Sequence, residues 1–145
     1  MNKKQAWIEL VERKSKHYLN LGDGGFDENM KAHLVDCNYE EQSVTYRFET
    51  QKWQINERGG IHGGAIAGMF DTAFGVVANL TAGDNEATTT DMTISFLREV
   101  ELGMEVDLKV YIVKAGRSLI RQRGELYDAA TKKPLATGSG SWMPL

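Results

Sequence analysis

The sequence is sparing with the residues that mark a special compartment or a covalent staple. Its 145 residues hold one cysteine, Cys37. No intrachain disulfide is therefore possible, which fits a reducing compartment and reads the thiol as a small core side chain. There is no excess of basic charge either. Seventeen Lys and Arg stand against 20 Asp and Glu, for a net charge of -3, which disfavours a general nucleic-acid binder. Long apolar runs are scarce near the start as well: MNKKQAWIELVERKSK is too charged and too briefly apolar to be expected to serve as a signal peptide. Only Ile61 to Ala82 approaches the length of a membrane span, and His62, Asp71, Asn79 and several glycines interrupt it. These absences together predict a cytoplasmic protein with no membrane or nucleic-acid partner. No internal repeat, linker or low-complexity segment divides residues 1–145, which read as a single domain.

What is present divides into two parts. Residues 1–21 carry an amphipathic helix from Lys4 to Leu19, with Trp7, Ile8, Leu10, Val11 and Tyr18 as candidate contacts. GDGGFDEN, residues 22–29, has loop composition and lacks the spacing of a calcium loop, so it reads as a solvated turn. From residue 31 to 145 the pattern is mostly that of strands. Val44, Tyr46 and Phe48 alternate with polar residues, as do Met92, Ile94 and Phe96, and then Val106, Leu108, Val110 and Ile112. Two more strands, Leu119–Tyr127 and Leu135–Trp142, complete the series. Short turns between them predict an antiparallel sheet of consecutive hairpins. The expected architecture is α+β, with five to six antiparallel strands curled around one long apolar helix and an N-terminal helix beside it.

That long helix, beginning near HGGAIAGMFDTAFGVVANL, contains a carboxylate among apolar residues. An ionised carboxylate in such company costs several kcal/mol unless partners compensate. At 100° per residue, Ile66, Met69, Phe70, Ala73, Val76, Val77 and Leu80 share a broad face for the sheet. Gly64, Gly68, Asp71, Gly75 and Ala78 form a stripe of small residues opposite, where a ligand or another backbone can come close. Glycine inside a helix costs roughly 1 kcal/mol relative to alanine, so the stripe points to a use. At the helix start, the N–H groups of Gly63 and Gly64 should be free to stabilise an oxyanion. No second histidine or cysteine stands at ligand spacing from His62, and no metal is expected.

Distance then limits the arrangement. Gly63 and Asp71 are eight residues apart, or roughly 12 Å along a helix, whereas an oxyanion donor and a base must both lie within about 3 Å of one reacting centre. Two antiparallel copies with facing stripes would bring Gly63 of one beside Asp71 of the other. A homodimer with two composite sites follows.

Asn56, then His62-Gly63-Gly64, then Asp71 on the next helix resembles the hotdog-fold acyl-CoA thioesterases, in particular the phenylacetate-pathway, PaaI-like branch. The resemblance extends through TTTDMTISFLREVELGMEV, VKAGRSLIRQRGELYD and ATGSGSW, and covers nearly everything after residue 31. It implies a homodimer that pairs into a homotetramer, and metal-free hydrolysis of an acyl-CoA in which CoA is substrate and no cofactor is needed. By position, Gly63 would polarise the thioester carbonyl and Asp71 would act as nucleophile or general base. Asn56 would position the attacking water or Asp71's target, His62 would orient the loop, and Thr89 would help hold water or substrate. Gly64 would border the substrate. Arg117, with Gly116 and Ser118 in the AGRS turn and with Lys114 and Arg98 nearby, would meet the CoA phosphates. Two other activities fit the same scaffold: a hydratase acting on an enoyl or hydroxyacyl thioester, and a non-catalytic acyl-CoA sensor.

Overall fold

The computed structural model describes residues 2–145. Helix α1 (Lys3–Leu19) starts at Asn2, whose side chain accepts the Gln5 N–H, and it ends on basic residues Lys16 and His17, which suit the negative end of the helix dipole. It buries Val11, Ser15 and Leu19, while Trp7, Leu10 and Tyr18 pack partly buried against the core. The 22–29 segment departs from expectation. Phe26–Asn29 form a one-turn helix, α2, because Phe26 has a surface to sit on and Asp27 has a hydroxyl to accept from, as described below.

Strands β1 (Ala32–Asn38), β2 (Ser43–Glu49), β3 (Ala87–Phe96), β4 (Glu105–Ala115), β5 (Ile120–Asp128) and β6 (Pro134–Pro144) form one antiparallel sheet in the order β1-β2-β4-β5-β6-β3. Expected consecutive hairpins hold for β1–β2, β4–β5 and β5–β6, but not for β3. The helix between β2 and β3 carries the chain across the sheet, so β3 pairs only with β6 at the far edge. The chain then returns to insert β4 beside β2.

Helix α3 (Gly63–Thr81) lies in the curl of the sheet. All seven residues assigned to its broad apolar face are buried. They meet Val44, Tyr46 and Phe48 of β2 and Val106, Leu108 and Val110 of β4, every one fully buried. Each large side chain so buried stabilises the fold by roughly 1.5–3 kcal/mol. Phe70 and Phe74 reach down to the sheet, where an added Cβ on Gly124 would lie 3.2 Å from both rings and one on Gly138 would lie 2.9 Å from that of Phe70. Those two glycines let the sheet close on the helix. Although α3 is long and apolar enough to cross a bilayer, 67% of its most apolar window is buried in the fold, as in a core helix. Ser15 and Tyr46 share a buried 2.6 Å hydrogen bond that fastens α1 to the core. Cys37 packs against that core. Burial first, then Asp36 and Glu12, hold its thiol above the ordinary range, so it makes a poor nucleophile.

Candidate active site

The first turn of α3 is built by His62. With extended backbone (φ -61°, ψ 138°), it caps the helix by accepting the Gly64 N–H on Nδ1 at 2.8 Å. Its carbonyl accepts from Ala65 (2.9 Å) and Ile66 (3.1 Å). The Gly64 N–H is therefore not free, contrary to the sequence expectation, because the preceding imidazole reaches it. Gly63 alone keeps an unpartnered N–H among the described residues at this helix end. The approach is fixed on both sides: Ile61 donates to the Val100 carbonyl and His62 to that of Gln54, each at 2.7 Å.

Asn56 closes the loop that precedes this turn. Its Oδ1 accepts from Arg58 (2.9 Å) and Gly60 (3.2 Å), and its N–H donates to the Gly60 carbonyl at 2.7 Å. Gly59, at φ +86°, makes the reversal that only glycine adopts easily. With Oδ1 committed, Asn56 has its amide N–H2 left to offer. Asn56 and Gly63 line one cleft of about 370 Å³ together with Phe96, Arg98 and Glu99.

Asp71 opens into a different cavity, of about 310 Å³, with Thr89, Gly75, Asn79 and Trp142. Thr89 donates to Asp71 Oδ1 at 2.8 Å. A bulge makes this pairing possible. Counting back from Phe96, Ile94 and Met92, strict alternation would turn Thr90 toward the helix. The register slips between Thr89 and Asp91, Thr90 instead bonds the Ser141 carbonyl, and Thr89 faces the carboxylate. The indole N–H of Trp142, which lines this cavity, and the Oε1 of Gln122 are buried without partners.

The two cavities share no lining residue. The chain thus brings Asn56 together with Gly63, and Asp71 together with Thr89, but not one pair with the other. The basic residues divide the same way. Arg98 lies in the Gly63 cleft. Lys114, Gly116, Arg117 and Ser118 occupy the β4–β5 hairpin, whose Ile120 pairs with Trp142, itself the partner of Thr89. Arg98, Lys114 and Arg117 are exposed and in no ion pair among the described residues.

Other neighbours lay outside the sequence reading. Gly68, read as open stripe, is covered: the Phe26 ring would lie 2.5 Å from a Cβ there. Thr72 donates to Asp27 at 2.7 Å, and Asp27 lines the Asp71 cavity. Ala78 is also fully buried. The signal for α2 was one phenylalanine in an otherwise polar loop. Among the described residues, no group of three or more His, Cys, Asp or Glu side chains is placed to hold a metal.

A curled antiparallel sheet wrapped on one central helix is the hotdog fold. The family model of the thioesterase superfamily matches residues 58–134, and the chain belongs to that family of thioester hydrolases. It is similar to acyl-coenzyme A thioesterase 13 of Mus musculus, with 27% identity over 115 residues, 79% of this chain and 81% of the relative. The Escherichia coli PaaI protein of the phenylacetic acid degradation operon superposes with a TM-score of 0.78 at 17% identity, covering 94% of this chain and 96% of that one. A Streptococcus mutans protein crystallised with acetyl-CoA gives a TM-score of 0.71 at 21% identity, covering 79% and 89%.

Proposed function

We propose that residues 1–145 act as one unit that hydrolyses an acyl-CoA to a free acid and CoA in a site shared between two subunits. The observation that carries this reading is the separation of the two halves. A free N–H with an amide stands in one cleft, and a carboxylate with a hydroxyl stands in another, with no residue in common. Neither half has the donors for the whole reaction. A second copy placed antiparallel supplies the missing half to each.

In that dimer the thioester carbonyl sits on the Gly63 N–H of one subunit, where the helix dipole and the unpaired donor stabilise negative charge on oxygen. The Asn56 amide offers a second donor, and Gly64 borders the carbonyl with no side chain in the way. Asp71 of the other subunit, held on one oxygen by Thr89, uses its second oxygen either to take a proton from water or to attack the carbonyl carbon itself. The C–S bond breaks, the acyl carbon ends with the hydroxyl of water, and the thiolate leaves and takes up a proton. His62 holds the loop in place through its cap. The phosphates of CoA meet Arg98 beside the Gly63 cleft and the Lys114, Gly116, Arg117 and Ser118 hairpin beside the Asp71 cavity. The homodimer pairs further into a dimer of dimers. Support for CoA as the leaving group comes from the name of the mouse relative and from acetyl-CoA bound to the Streptococcus mutans neighbour.

The test is free-thiol release over a panel of acyl-CoAs with wild type and Asp71→Asn. The substitution should lower kcat at least about a hundredfold without changing the oligomer. Near-normal turnover in Asp71→Asn would refute its role. A blank panel with CoA still bound would turn the reading to a non-catalytic binding protein.

A further inference from the structure

The two clefts that flank the first turn of α3 differ in character. The one lined by Gly63 also holds Arg58, Arg98 and Glu99. On the other side of the same turn, Phe26, Trp53, Ile55, His62, Gly64 and Ala65 line a slot of about 260 Å³ with mostly apolar walls. Phe26 and Trp53 are 56% and 58% exposed, a large amount of apolar surface to leave in water beside a catalytic turn. They are also held in place. Trp53 Nε1 donates to Gln51 Oε1 at 3.0 Å, and Gln51 Nε2 donates to the Asn29 carbonyl at 2.9 Å, so the two walls are tied to each other. Phe26 stands on Gly68, one turn beyond Gly64 and three residues before Asp71, where a methyl group would collide with its ring.

We infer that this slot receives the acyl group of the thioester, and that Phe26 and Trp53 set which acyl groups are used. The inference rests on the proposed thioesterase reading. A thioester seated on the Gly63 N–H has two arms. The phosphate-bearing arm matches the side that holds the Arg98 guanidinium, unpaired among the described residues, Arg58 being engaged by Glu57 and Glu99, and the acyl arm matches the aromatic side. A space of about 150 Å³ suffices for a benzene ring, so the slot suits a six- to eight-carbon or arylacetyl group and leaves acetyl mostly unsupported. Gly68 belongs to the same device: its missing side chain lets the Phe26 wall stand where it does.

The experiment measures kcat/KM for acetyl-, hexanoyl- and octanoyl-CoA in wild type, Phe26→Ala, Phe26→Leu, Trp53→Ala, Gly68→Ala and the double variant Phe26→Ala/Gly68→Ala, with folding checked by thermal melting. The hexanoyl-to-acetyl ratio should fall about tenfold in Phe26→Ala and Trp53→Ala and stay near wild type in Phe26→Leu. Gly68→Ala should lower the ratio by displacing the ring, and should have no further effect once Phe26 is alanine. Ratios unmoved by these changes, or a Gly68→Ala effect equally large without the ring, would overturn the slot while leaving the thioesterase reading intact. Equal losses at every chain length, with a weakened dimer, would make it a subunit contact instead. A wild type that hydrolyses none of the three, nor phenylacetyl-CoA as an arylacetyl probe, would overturn both readings.

Discussion

Thr89 engages one oxygen of Asp71 and leaves the other without a protein partner among the described residues. That asymmetry suits a group that must present one oxygen in a fixed direction. If Asp71 acts as proposed, losing the hydroxyl lets the carboxylate rotate away from the thioester, and a misplacement of about 1 Å can cost a hundredfold in rate. Thr89→Ala should therefore lower kcat by roughly ten- to a hundredfold, with KM little changed, and Thr89→Ser should restore most of it. Thr90→Ala is the control, since strict alternation would have aimed Thr90 at the helix. It should leave kcat within about twofold of wild type. If the two alanine variants behaved alike, the bulge would not be selecting the residue that faces Asp71. Steady-state thiol release separates these outcomes.

At the scale of elements, apolar periodicity made α3 and the strands legible, because burying one face demands it. Every large residue placed on the apolar face of α3 is buried. The order of strands was not legible, since period-two alternation states that a segment is a strand but not which neighbour it takes. Asp71 stood out as a charge in an apolar helix and Gly63 as a glycine at the start of that helix, whereas Asn56, a polar residue in a polar loop, was singled out only by the resemblance to a family. The hydrogen bond from Thr89 to Asp71 depends on a bulge that no spacing reveals. That the Gly64 N–H is taken was not legible, because capping by His62 depends on a rotamer. The stripe was half right. Gly68 is filled by α2, while a Cβ on Gly75 would meet nothing within 4 Å, in the cavity one turn beyond Asp71. Helix propensity alone should make Gly75→Ala more stable by about 1 kcal/mol. If that space receives substrate or the partner's backbone, the same methyl group should lower kcat/KM. A raised Tm with reduced turnover is expected; a raised Tm with unchanged turnover would show the glycine to be unneeded.

On the scale of the whole molecule, one strand edge and one helix end bear on the proposed pairing with a second copy. β3 is ten residues long and hydrogen-bonded only to β6, so its outer edge carries unpaired backbone groups. Thr89 and Phe96, which line the two separate cavities, are seven residues apart on β3, roughly 23 Å along an extended strand. An antiparallel copy paired at that edge would invert this separation and set the Thr89 end of each chain beside the Phe96 end of the other. The geometry of the first helical turn permits a clean test. Gly63 is the first residue of α3, the position where proline fits best, because the N–H it lacks is not used inside the helix. His62, at ψ 138°, already has the backbone that proline requires of its predecessor, and a Cβ at residue 63 meets the Phe96 ring only at an ordinary 3.6 Å. Gly63→Pro thus deletes the proposed oxyanion donor and little else. It should cost roughly a hundred- to a thousandfold in kcat, with Tm nearly unchanged. Gly63→Pro and Asp71→Asn homodimers would each be inactive. In a mixed dimer both lesions fall in one of the two composite sites and the other is intact. Mixing the two variants after reversible dissociation should therefore restore up to a quarter of wild-type activity, because half the dimers are mixed at equal ratio and each holds one working site of two. If both groups acted within one subunit, every site in the mixture would stay broken and no activity would return.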